Sequence, residues 1–145
     1  MTSIVLVGPR GSGKTTVGKK LSLMLDFPFV DTDAEFIQQY GAISDFVDKH
    51  CWKEFRRLET ELITCICQKY QHAKIVFVPG GGAVAHNQCN QYRQKNVELL
   101  SGFGFIVYLL PYQDLRQSAF VLSHRVEKDT TSTYSRPSLT ETSGL

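Results

Sequence analysis

No stretch of this 145-residue chain approaches the roughly 18 consecutive apolar residues that a membrane-spanning helix requires, so no membrane partner is expected. No C-x-x-C pair occurs either. Cys51, Cys65, Cys67 and Cys89 are scattered, and Cys65 and Cys67 sit at a spacing that puts them on different sides of any helix. Zinc at His50 and Cys51 lacks a second ligand pair at suitable spacing. The first apolar run begins almost at once, which leaves no room for a signal peptide, and the thiols are expected to stay reduced in a cytoplasmic protein. Basic residues never run beyond Lys19-Lys20 or Arg56-Arg57, and the formal net charge is only +2. That excludes the electrostatic footprint of a nucleic-acid binder. There is no internal repeat and no linker. The chain reads as one domain over residues 1–145, long enough to bury its own core without staples.

Against this plain background one stretch carries chemistry. Gly8-Pro9-Arg10-Gly11-Ser12-Gly13-Lys14-Thr15 reads G-x-x-x-x-G-K-T, directly after the β-branched run Ile4-Val5-Leu6-Val7 and directly before a helical pattern. Strand, loop and helix together make the context of a phosphate-binding loop. Gly8, Gly11 and Gly13 permit backbone torsions that let successive N–H groups face phosphate oxygens. The following helix offers its N-terminal N–H groups to the same anion. Lys14 is placed to reach the β- and γ-phosphates of a nucleotide, and the Thr15 hydroxyl to hold Mg²⁺.

Val17, Leu21, Met24 and Leu25 then recur at helical spacing, with a stop expected near Asp26 ahead of Pro28. Phe29-Val30-Asp31 reads as a second strand, and strand, helix and strand imply a parallel βαβ unit. Asp31 and Asp33 fall at the C-terminal end of that strand, the edge where open α/β sheets bind ligands. Helices are expected over 34–40, about 51–70, 90–100 and 114–122, and strands over 74–78 and 103–110. The last of these, Phe103 to Leu110, is apolar on both faces, as a buried strand would be. Arg56 and Glu59 share one side of their helix. Gly80-Gly81-Gly82 indicate close backbone approach to a ligand. The polar run from Ser123 to Ser135, ending in Arg136-Pro137, has the composition of an active-site lid over about 123–138.

These motifs in this order resemble the shikimate kinase family: G-P-R-G-S-G-K-T-T-V-G-K from Gly8, D-T-D from Asp31, F-R-R-L-E from Phe55, G-G-G-A-V from Gly80 and R-P-S-L from Arg136. The resemblance covers nearly the whole chain. It implies a three-layer α/β P-loop fold with a parallel sheet of about four strands. It also implies ATP-dependent phosphorylation of shikimate to shikimate 3-phosphate. Gly11, Ser12, Gly13, Lys14, Thr15 and Thr16 would bind the ATP phosphates. Thr15 would bind Mg²⁺ directly and Asp31 through water. Asp33 would hold the shikimate hydroxyls and act as base, Arg56 would pair the carboxylate, and the backbone of Gly80, Gly81 and Gly82 would close on the ring. Arg136 would reach the phosphates from the lid.

The sequence departs from the family pattern in three places. Pro79 removes a backbone donor just before the glycines. The adenine-side arginine has no clean counterpart, Arg116 and Arg125 both being slightly displaced. The family's second carboxylate-binding arginine, fifth strand and last helix have no match before Leu145, so the chain is expected to be a weak enzyme with an uncapped fourth strand, and a monomer only if the fold is complete. The alternatives are another small-molecule P-loop kinase, of gluconate type, and a non-catalytic homologue that binds nucleotide or shikimate.

Overall fold

The computed structural model describes residues 2–112, 114 and 116–121. The first apolar run forms β1 (Ser3–Val7), and the glycine loop follows it. Helix α1 (Lys14–Leu25) begins at the lysine itself and ends at Asp26, whose φ of 56° leaves the helical region just ahead of Pro28. Strand β2 (Phe29–Asp31) passes into α2 (Thr32–Tyr40) with no residue between them. Asp31 makes that junction possible, because its Oδ1 accepts from the N–H groups of Asp33 at 2.9 Å and Ala34 at 3.3 Å. Those are donors the first helical turn would otherwise leave unmet. Gly41 ends α2, and α3 (Ile43–His50) and α4 (Trp52–Lys69) follow. Then come β3 (Val76–Val78), α5 (Asn90–Phe103) and β4 (Gly104–Tyr108). A last helical stretch spans 116–121, with Asp114 accepting from the N–H groups of Arg116 and Gln117.

Among the described residues the sheet is four-stranded and parallel throughout, in the order β2-β3-β1-β4. The expected βαβ unit is therefore parallel but not adjacent, since β3 lies between β1 and β2. Composition explains the order. Val76-Phe77-Val78 is buried at every position and suits the centre, whereas Phe29 and Asp31 are only partly covered and suit an edge. Alternate side chains feed two layers. Val5, Val7, Val30 and Phe77 pack with Ile63, Ile66 and Leu100 of α4 and α5. Leu6, Val76 and Val78 pack against Val17 and Leu21 of α1. Phe36, Val47 and Phe55 tie α2, α3 and α4 together beside this core. The three-layer α/β arrangement is the one the sequence predicts, and no helix among the described residues is long and apolar enough to cross a membrane.

Several local expectations need correction. Helix α3 is an added element between Gly41 and Cys51, with Ile43, Phe46 and Val47 at i, i+3 and i+4 turned toward Phe36 and Phe55. Helix α5 continues through Ser101 and Gly102 to Phe103. Met24 lies on the solvent side of α1, 80% exposed. Strand β4 is not buried on both faces: Phe105 is 65% and Tyr108 60% exposed. An apolar strand is covered only where elements lie on its faces, and among the described residues β4 pairs with β1 alone. The segment 123–138, with Arg125 and Arg136, lies outside the described residues.

Gly18 sets how closely α1 approaches the sheet. A Cβ there would come within 2.8 Å of Phe29 Cε2 and 3.0 Å of Val78 Cγ2. Gly18→Val is expected to destabilise the fold by about 1–3 kcal/mol through overpacking. Urea denaturation measures this, and an unchanged midpoint would show that the helix shifts at no cost.

Candidate active site

The loop after β1 places Gly8, Gly11 and Gly13 at φ values of 153°, 81° and 94°, where a side chain would be strained. Lys14 folds back over this loop and donates from Nζ to Gly8 O at 2.8 Å and Pro9 O at 2.9 Å. It is buried, and burial lowers its pKa while Asp33 and Asp31 pull the other way. Ser12 Oγ is buried with no partner among the described residues, and the Thr15 and Thr16 residues beside it are exposed. An unmet hydroxyl, a lysine resting on carbonyls and a helix N-terminus around one concavity are the features that phosphate oxygens satisfy.

The second half of the site is built on the ends of β2 and β3 and the first turns of α4. Asp33, in the first turn of α2, and Glu59, on α4, both reach the backbone of Gly80. A Cβ on Gly80 would lie 2.7 Å from Asp33 Oδ1 and 3.0 Å from Glu59 Oε2. Burial raises the pKa of Asp33, with the Asp31 charge adding to the effect and Arg56, Lys14 and Arg10 opposing it. Glu59 is pushed up to about 7, chiefly by burial, against the pull of Arg56. Lys14, Asp31, Asp33, Arg56 and the three glycines thus lie around one site. Arg136 cannot be placed, since it lies outside the described residues. Arg116 is exposed and lines an open cavity of about 380 Å³ with Tyr112, Gln117, Phe120 and Val121.

Arg56 is 6% exposed and held from several sides. Its Nη1–H donates to Glu59 Oε1 at 2.9 Å and its Nε–H to Gln88 Oε1 at 3.2 Å. The guanidinium carbon sits 5.3 Å from the centre of the Trp52 ring and 5.1 Å from that of Phe55. The solvated ion pair that F-R-R-L-E could also have formed belongs to its neighbour. Arg57 pairs with Glu54 and Glu61, of which Glu61 is exposed and the other two half-buried.

The glycine triplet is not explained by backbone torsion, since positive φ falls on Gly8, Gly11, Gly13 and Gly41 among the described glycines. Space explains it. Gly80 is crowded by the two carboxylates, and Gly81 by the Arg10 backbone N at 3.2 Å and Lys14 Nζ at 3.5 Å. A Cβ on Gly82 would lie 2.6 Å from Arg56 Nη2. What approaches these glycines is the chain's own side chains and loop.

Three residues of this cluster escape sequence reasoning. Glu59 is visible only as an ion-pair partner, and nothing in its spacing announces that it is buried. Gln88 and His86 lie in an irregular stretch with no period. His86 is buried, its Nδ1 accepts from the Cys89 N–H at 3.5 Å, and burial beside Arg56 and Arg93 pushes its pKa down to about 4.

A parallel sheet, a glycine loop with a buried lysine, and a carboxylate pair at the next strand end define a P-loop phosphotransferase acting on a small acceptor. The sequence model of the shikimate kinase family matches residues 10–144. Shikimate kinase 2 of Photorhabdus laumondii is 36% identical over 139 residues, which take in 94% of this chain and 69% of that relative. The pentafunctional AROM polypeptide of Candida glabrata is 30% identical over 122 residues, 83% of this chain and 7% of that much longer protein. Among solved structures, the shikimate kinase from Acinetobacter baumannii in complex with shikimate superposes with a TM-score of 0.73 at 29% identity, over 99% of this chain and 72% of that one. The chain belongs to the shikimate kinase family.

Glu59 and His86 should tilt stability with pH in opposite senses. A carboxyl raised from 4.5 to about 7 holds its proton longer in the folded state, so its contribution is full below its ordinary pKa and is lost as pH rises toward 7. A histidine lowered from 6.5 to about 4 contributes above its ordinary pKa and loses that contribution as pH falls toward 4. Relative to the native chain, Glu59→Gln should shift the melting temperature upward most near pH 7, and His86→Gln should do so most near pH 4. Thermal melts across this range decide it, and parallel curves for all three proteins would refute the assignment.

Proposed function

We propose that this chain transfers the γ-phosphoryl group of ATP to a ring hydroxyl of shikimate, giving shikimate 3-phosphate. The observation that carries this reading is the cluster of half-buried Asp33 with buried Glu59 and Arg56 around the glycine triplet, directly beside the phosphate-binding lysine. It offers an acceptor for hydroxyl protons and a planar cation for a carboxylate, the two groups a carboxylated cyclic polyol presents. Family membership and the shikimate bound to the Acinetobacter relative support it.

In this reading the phosphates displace Gly8 O and Pro9 O from Lys14, which then neutralises charge on the transferring group. Asp33 orients the attacking hydroxyl and takes its proton as the new P–O bond forms and the bond to the ADP oxygen breaks. Its raised pKa brings it closer to the range in which a carboxylate accepts a proton well. Arg56 fixes the substrate carboxylate, and Arg136 is proposed as the lid cation. The residues also fit Mg²⁺. Thr15 is exposed, and Asp31 spends Oδ1 on capping α2, which leaves Oδ2 for a metal-bound water. No group of three or more His, Cys, Asp or Glu among the described residues could hold a metal, consistent with an ion carried mainly by phosphates and water. Held by Thr15 and, through water, Asp31, Mg²⁺ would supply charge neutralisation for the transferring group.

Asp33→Asn is expected to lower kcat on shikimate by about 10²–10⁴ while leaving Mg-ADP affinity nearly unchanged. Gly82→Ala should push Arg56 aside and weaken shikimate binding by roughly 10- to 150-fold, also without loss of nucleotide. Coupled ADP release with shikimate and gluconate in parallel, together with nucleotide titrations, reads both. Loss of Mg-ADP affinity in Asp33→Asn would move that residue to the metal, and turnover of gluconate in place of shikimate would overturn the substrate.

A further inference from the structure

Arg56 does not present all its donors to a ligand. The Nε–H is taken by Gln88 Oε1 at 3.2 Å and one Nη1–H by Glu59 Oε1 at 2.9 Å. Because a guanidinium only donates, the amide of Gln88 must turn its oxygen toward Nε. Gln88 is itself held in place. It lies between His86 and Cys89, and the Cys89 N–H donates to His86 Nδ1. Arg93 Nη1 donates to His86 O and to Asn87 Oδ1, both at 3.2 Å. The side-on fork of Arg56, Nε with Nη2, is therefore closed, and the free donors lie on Nη1 and Nη2. The rings of Trp52 and Phe55 and the bare backbone of Gly82 fix where the guanidinium sits. Gln88 fixes its rotation in its own plane.

The geometry points to Gln88 as the positioning residue of the carboxylate site: by accepting from Nε–H it holds Arg56 so that a substrate carboxylate is met end-on, through Nη1 and Nη2. This rests on the reading above, in which Arg56 pairs a substrate carboxylate. It also joins Arg56, on α4, to the irregular stretch that follows the glycine triplet, so the groups facing the carboxylate and the ring are set by one connected piece of chain. Neither composition nor spacing marks Gln88, and its contribution is orientation rather than charge.

The chain's single tryptophan, Trp52, lies against the Arg56 guanidinium and reports the site by its fluorescence without needing turnover. Shikimate and Mg-ADP are titrated into the native chain, Gln88→Leu, Arg56→Lys and the double variant. Gln88→Leu should weaken shikimate binding about tenfold, the scale of one lost hydrogen bond to a charged group, and leave Mg-ADP affinity within about twofold. In the Arg56→Lys background, which has no Nε–H, Gln88→Leu should change nothing further. Gln88→Asn, whose shorter arm withdraws the oxygen while keeping the amide, should reproduce the leucine result if leucine impairs folding. Unchanged shikimate affinity in Gln88→Leu, an equal loss in both Arg56 backgrounds, or an equal loss of Mg-ADP affinity would each overturn the proposal. If the native chain binds gluconate and not shikimate, the substrate reading fails, and the same comparison made with gluconate still decides Gln88.

Discussion

Two carboxylates, Asp33 and Glu59, are held against one stretch of backbone at Gly80, and much of the site follows from how their charge is compensated. Burying like charges side by side is costly unless cations sit within reach. Here the compensation comes from three directions: Arg56 on α4, Lys14 at the start of α1 and Arg10 in the loop before it. Two of them are anchored separately, Arg56 by Glu59 and Gln88, Lys14 by loop carbonyls. The cost is offset only if every partner keeps its place. The position of Arg56 is thus set before any substrate arrives. Sites that stabilise charge during a reaction work best when their dipoles and charges are fixed in advance.

Much of this was legible from residue order because it depends on local rules. A glycine loop between strand and helix has one dominant chemistry, and two aspartates at the end of a strand fall on the edge where an open α/β sheet binds ligands. The three-layer arrangement follows from helices alternating with apolar strands. What could not be read depends on distance between parts of the chain that sequence does not relate. Whether Arg56 or Arg57 faces inward is a matter of helix phase against a core that α3 helps to build. Glu59 becomes unusual only through burial. Gln88 matters only because it meets a side chain 32 positions away. The exposure of β4 is of the same kind, since an apolar strand says what it could be buried against and not what lies beside it.

The strand order has a consequence for the glycine triplet. Because β3 is inserted between β1 and β2, the phosphate loop and the Asp31–Asp33 corner stand two strand spacings apart, about 10 Å. The chain leaving β3 emerges in the middle of that gap, in line between the lysine on one side and the carboxylates on the other. Any side chain at those positions would meet Asp33 and Glu59, the loop at Arg10 with Lys14, or the Arg56 guanidinium. The demand for three bare residues is therefore topological before it is chemical. Had β1 and β2 been direct neighbours, no segment would emerge between their ends to be crowded from both sides.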